Sequence, residues 1–171
     1  MRVLLSVILF SASSSIGQIP LKTLISFAGA KYATVADYLI TKGWEYKGTD
    51  TSGGYHSTWT YKYNMLTNTA QYWLYCRFKN YPKLNKDSIS GATYMNIPQS
   101  EYLEILNELP LNGFKKTETM DFQGDLDVVF EKKIQKDDKF LNLTIAELLQ
   151  FLAPGSNIKR TMYQFSIDRL E

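Results

Sequence analysis

His56 and Cys76 are the only histidine and the only cysteine in the chain, and they limit the chemistry it can do. Together they could form a base and a thiolate nucleophile, but their separation of 20 residues does nothing to bring them into contact. Cys76 lies in the strand-like run Tyr72 to Phe78 and reads as a small packed residue. A reactive thiol needs an electropositive, accessible setting, and Arg77 is the only neighbour that hints at one. A histidine-based metal site needs more imidazoles than one, and no cluster of cysteines or carboxylates replaces them. No metal or cofactor is expected.

The other reactive groups point the same way. Asp121, Asp125 and Asp127 are close in sequence, but they precede or begin a strand-like run and read as a solvated edge. A calcium loop would need alternating acids, a central glycine and a distal glutamate. Ser52-Gly53-Gly54 lacks the lysine and helix that complete a phosphate loop. Asn142-Leu143-Thr144 matches a glycosylation acceptor, yet Leu143 belongs to an apolar stripe in mid-strand, which makes the match incidental. These residues predict a protein that is not an enzyme.

The elements that would hold them begin after an export signal. Arg2 precedes the apolar run Val3 to Phe10, and Ser15 and Gly17 suit the positions before a cleavage site. Residues 1–17 are therefore expected to be a signal peptide and residues 18–171 one α+β domain in the periplasm or outside the cell. The apolar run is far shorter than the roughly 20 residues a membrane-spanning helix needs, so no integral membrane segment is expected after cleavage. Nineteen basic against seventeen acidic residues give no support for nucleic acid or an anionic membrane as main partner. A lone cysteine rules out an internal disulfide, and the core must hold the fold unaided.

Residues 21–30 read as a short helix or an extended lead-in, with helix preferred. Thr34, Val35 and Asp37 open a helix over about 35–42, closed by Gly43. Strand patterns follow at Trp44 to Thr49, Tyr55 to Asn64, Ala70 to Phe78 and Ile89 to Ile97. Ser100 then caps a second helix carrying Tyr102, Ile105, Leu106 and Leu109, which Pro110 stops. Gly113-Phe114 opens a second strand set at Phe114 to Thr119, Leu126 to Lys132, Phe140 to Ala146 and Thr161 to Ile167. Thr144 to Leu152 conflicts with itself, because Thr144 and Glu147 could box a helix there. A strand to about Ala146 followed by an irregular or helical turn is preferred.

Gly43-Trp44 and Gly113-Phe114 stand 70 residues apart. At that offset Val35 meets Ile105, Leu39 meets Leu109, Trp73 meets Leu143 and Ile97 meets Ile167. The expected fold is thus a tandem repeat of one helix plus a four-strand antiparallel meander, about 21–97 and 98–171. It would have about eight strands, with helices packed on one face. Trp59 and Tyr61 match Val128 and Phe130 at 69 residues instead, which demands a bulge, since a one-residue slip exchanges the faces of a strand.

Carrying the second copy's stripes onto the first assigns Trp59, Tyr61, Trp73, Tyr75, Thr93, Met95 and Ile97 to the core. His56, Thr58, Thr60, Tyr72, Leu74, Cys76, Phe78, Ala92, Tyr94 and Asn96 fall on the open face. Tyr72, Leu74, Phe78 and Tyr94 are too apolar for a wet surface and, with His56, form the candidate binding patch. The packing alternative is that the connection from Lys79 to Asp87 folds over them.

This arrangement of signal peptide, helix, glycine-aromatic stop and meander, given twice, resembles a group of small exported proteins of Gram-negative bacteria whose members carry no assigned activity. The architecture is also similar to the tandem helix-plus-four-strand proteins of the β-lactamase inhibitory protein type. That resemblance implies binding of an enzyme through the concave sheet face. The disulfides that family relies on have no counterpart here. The expected function is an exported, non-catalytic binding module whose open sheet face engages a protein or peptide, possible self-association included. A carrier of small ligands, lipids or glycans in the cell envelope is the alternative.

Overall fold

A computed structural model describes the backbone of residues 17–50, 56–78, 88–122, 125–134, 139–151 and 159–170. Side chains are described for 17–50, 56–78, 88–117, 119 and 163–168. The expected signal peptide (up to Ile16), the covering connection and the Ser52-Gly53-Gly54 turn fall outside these residues.

Among the described residues, three helices precede or interrupt the strands: α1 (Leu21–Phe27), α2 (Tyr32–Thr41) and α3 (Gln99–Leu111). In α1 the apolar spacing Leu21, Leu24, Phe27 places one stripe inward, and all three are buried. In α2 the stripe is Val35 and Leu39, and in α3 it is Tyr102, Ile105 and Leu109. Both longer helices stop the same way. Gly43 (φ 79°) and Gly113 (φ 82°) take the left-handed conformation that side chains resist. The next amides, of Trp44 and Phe114, then turn back to the carbonyls of Leu39 and Leu109 at 2.9 and 3.1 Å.

Eight strands follow chain order as β1 (Glu45–Asp50), β2 (His56–Tyr61), β3 (Tyr72–Phe78), β4 (Ile89–Ile97), β5 (Lys115–Phe122), β6 (Asp125–Ile134), β7 (Lys139–Phe151) and β8 (Lys159–Leu170). They make one antiparallel sheet in the spatial order β1-β2-β3-β4-β8-β7-β6-β5. Side chains are described on β1 to β4 and β8, which are adjacent in space, and on the first residues of β5. All three helices lay their apolar stripes on one face of this part. There they bury Trp59, Tyr61, Tyr72, Leu74, Cys76, Ala92, Tyr94, Ile97, Phe165 and Ile167. Trp44, next to the first stop, packs among Tyr61, Tyr72 and Tyr94 with ring centroids 5.9–6.2 Å apart.

The expected tandem repeat of one helix plus four strands is corrected by this architecture. Helix α1, expected as a short helix, has no counterpart among the described residues of the second half, where α3 alone stands between β4 and β5. Strands β1 to β4 have 6, 6, 7 and 9 residues, against 8, 10, 13 and 12 for β5 to β8. The 70-residue offset also fails on faces. Leu143 stands opposite the buried Ile167. Trp73, its supposed equivalent, lies on the side of the sheet away from the helices. The two halves are not copies of one unit.

Local details differ as well. Helix α2 begins at Tyr32, three residues before the expected start, with Lys31 at its cap and no side-chain cap bond from Thr34. Helix α3 begins after Pro98 and continues through Pro110 to Leu111. A proline is tolerated there because the helix is already ending. The stretch from Thr144 to Phe151 is a continuous part of β7, in register with β8 through Phe151 opposite Lys159. Pairing on that flank overrides the local helical pattern.

Candidate functional site on the open sheet face

The register of β2, β3, β4 and β8 decides which side chains are available. Trp59 stands opposite Leu74, Leu74 opposite Tyr94, and Tyr94 opposite Phe165. Leu74, Tyr94 and Phe165 have no exposed surface and Trp59 has 2%, so this row lies beneath the helices. Side chains alternate along a strand, and the rows on either side therefore face away. One contains Thr58, Tyr75, Thr93 and Ser166; another, Thr60, Trp73, Met95 and Gln164; a third, His56, Arg77, Gly91 and Asp168.

The expected binding patch is corrected accordingly. Tyr72, Leu74 and Tyr94 are core residues, and Phe78 packs edge-on against Tyr32 of α2 at 5.0 Å. Cys76 is buried with them. His56 alone of the proposed patch is on the open face. Trp73, Tyr75 and Met95, assigned to the core by the repeat, are half-buried on the open side, and Thr93 shares that side but is buried; Trp59, Tyr61 and Ile97 are buried as expected. The assignment fails because β3 and β4 are offset by one residue from the pattern borrowed from the second half. Ile97 returns to the covered side through an irregularity at Asn96, where φ is 64°. The Asn96 side-chain amide donates to the carbonyls of Ala70 and Gln71, each at 2.9 Å. His56 and Cys76 emerge on opposite faces, so they cannot act as base and nucleophile.

An aromatic line crosses the open face. His56 meets Tyr75 edge-on at 5.3 Å, Tyr75 and Trp73 lie parallel within 12° at 6.4 Å, and Tyr63 meets Trp73 at 87° and 6.1 Å. Lys47 sits 3.8 Å over the Tyr63 ring while its ammonium pairs with Glu45 at 2.8 Å. These rings are half-buried, and burial raises the Tyr75 phenol above its ordinary range. Edge-on and offset contacts hold such rings in place.

Beside them Arg77 forms a strap across three strands. Its Nη2 donates to Asp168 Oδ1 at 2.7 Å and to Ser166 Oγ at 3.1 Å, and its Nε donates to Asp168 at 3.1 Å. Nη1 donates to Thr93 Oγ1. The strap crosses at Gly91, where an added Cβ would collide with Asp168 Oδ1 and the Ile167 carbonyl. With its donors spent on the sheet, Arg77 is a positioning residue.

A buried carboxylate lies on the other side of the sheet. Glu101 in α3 is 5% exposed; it accepts from Tyr72 Oη at 3.1 Å and from Tyr94 Oη at 2.9 Å. Burial raises its affinity for a proton, against the lowering pull of the two phenols, and Glu104 raises it further. Burial drives the Tyr94 phenol far above its normal range, and the neighbouring Glu101 charge adds to the shift. The arrangement ties α3 to the sheet and is closed to solutes. Its sequence signal was the placement of Glu101 one residue before Tyr102 and four before Ile105, inside the apolar stripe.

Among the described residues, no three His, Cys, Asp or Glu side chains gather closely enough to hold a metal ion. No described helix is long and apolar enough to cross a membrane. Comparison with family models, with curated proteins and with solved structures finds no match.

Proposed function

We propose that the chain is an exported, non-catalytic binding module that engages a protein or peptide through the open face of its sheet. The observation carrying this reading is the fixed line His56, Tyr75, Trp73, Tyr63 on the side away from all three helices. Rigid aromatic side chains lose little entropy on contact and supply apolar area with polar edges, the composition enriched at the centres of protein interfaces. The half-buried polar side chains of Ser166, Arg77 and Asp168 suit a rim.

The perturbed groups Glu101, Tyr94 and Cys76 lie beneath the helices, where they support packing. Export rests on Arg2, the apolar run to Phe10 and the small residues before Gln18. The test is to replace Trp73 and Tyr75 together by serine and compare binding to proteins co-purified with the parent chain. The expected outcome is a loss of at least tenfold in affinity with the fold retained. Undiminished binding by a folded double variant refutes the open-face reading.

A further inference from the structure

The connection between β2 and β3 combines a rigid frame with an apolar apex. Asn64 and Thr69 pair across the turn, with backbone bonds of 2.7 and 3.3 Å. The Asn64 side chain accepts from the Leu66 amide at 3.0 Å, and the Thr67 and Thr69 hydroxyls bond at 2.7 Å. Tyr63 Oη donates to Asn68 Oδ1 at 2.7 Å. The polar side chains of the loop are thus used to hold it. Met65 and Leu66, at its tip, are left 82% and 96% exposed. Turn apices are normally polar, and a fixed tip pays no ordering entropy when it enters another phase.

The neighbouring chemistry indicates which phase. Between His56 and Phe78 the sequence has no acidic side chain, while Lys62 beside the tip is basic and Arg77, at the far end of β3, is paired with Asp168. Near-neutrality of the whole chain conceals this local asymmetry. Lys62 adjoins the tip, and its ammonium lies 5.6 Å from the Tyr61 ring centre. Behind the tip stand Tyr63 and Trp73, the latter half-buried on the open face. An apolar apex, an aromatic collar and a basic side chain at collar height are the three components of an interfacial contact with a bilayer.

We infer that the Asn64–Thr69 tip is a peripheral membrane contact, inserting Met65 and Leu66 into the headgroup boundary of an anionic bilayer while Lys62 stays at the phosphates. Two side chains bury less apolar surface than one fatty chain, which itself binds only reversibly. The contact is therefore weak and salt-sensitive. It orients the module on a membrane and goes beyond the open-face function, which does not depend on it.

The test is retention of the whole chain on phosphatidylcholine vesicles with and without about 30% phosphatidylglycerol, a content giving a surface potential that basic residues sense. The parent should bind the anionic vesicles and release as salt rises. Met65→Ser/Leu66→Ser should bind at least tenfold more weakly with an unchanged melting temperature. Leu66→Trp should bind more tightly and shift its emission to the blue when anionic vesicles are added. No retention of the parent overturns the inference and leaves the tip to a protein contact. Double-variant binding within about twofold of the parent also overturns it, since burial of Met and Leu must count for more. If the double serine variant unfolds, the Leu66→Trp emission alone decides.

Discussion

Replacing Glu101 gives the sharpest test of how α3 is held. In Glu101→Ala the phenols of Tyr72 and Tyr94, 2% and 0% exposed, lose their acceptor. Removing the charged acceptor of a buried hydrogen bond costs about 1–3 kcal/mol, so losing both bonds should cost roughly 2–6 kcal/mol. Glu101→Gln keeps the volume and one carbonyl acceptor and should lose much less. The two variants also separate charge from shape. Burial raises the folded-state affinity of Glu101 for its proton, whereas an unfolded glutamate titrates near ~4.3. A carboxyl raised on folding contributes stability that is fully present below the unfolded value and is lost as pH rises through the folded value. The parent's stability minus that of Glu101→Gln should therefore fall as pH rises from about 4.3. Urea denaturation of both proteins at several pH values measures the difference directly. A difference that grows with pH would mean that hydrogen bonds from the tyrosines outweigh burial, and would refute the raised proton affinity of Glu101.

Other outcomes follow from the same geometry. Gly91→Ala should cost about 1–3 kcal/mol by denaturation, because the new methyl enters the path of the Arg77 strap; unchanged stability would show that the strap does not cross there. Leu74→Ala should lose about 2–5 kcal/mol as a core cavity, whereas Tyr75→Ser, one residue along on the open face, should lose much less; the reverse order of melting temperatures would exchange the two faces. Burial pushes the Cys76 thiol up to about 12. A thiol reagent at pH 8 should label the native protein only as fast as it opens, and urea should accelerate labelling. Rapid labelling without denaturant refutes the buried placement.

The helices were legible because their signals are local. Stripes such as Val35 with Leu39 and Ile105 with Leu109 need only the helical period, and Gly43 and Gly113 need only a left-handed stop. Face assignment in β3 and β4 was not local. Trp73 and Leu74 are both apolar and both suit a strand, so composition cannot say which one meets the helices. The borrowed register supplied the wrong parity, and a shift of one residue was enough to exchange the faces. His56 was placed on the open side, but its aromatic neighbours Trp73 and Tyr75 were assigned to the core by that same shift. Glu101 is not legible in the sequence, because a carboxylate in an apolar stripe reads as a surface charge until its two tyrosine partners, 29 and 7 residues away, are brought to it.

The position of β8 beside β4 has a consequence for the order in which the molecule can be completed. Strands β1 to β4 and helices α1 and α2 are synthesised first, yet the inner edge of β4 stays unpaired until β8 has emerged. Its partner residues are far along the chain: Tyr94 waits for Phe165 and Arg77 for Asp168. Contacts of such sequence separation are slow to form and leave a strand edge exposed meanwhile. A chain cut before residue 159 would lack the middle of its sheet and would keep strands on both sides of the gap. Its expected fate is pairing with other chains along β4, so integrity of the last strand should govern solubility more than any residue of the proposed binding face.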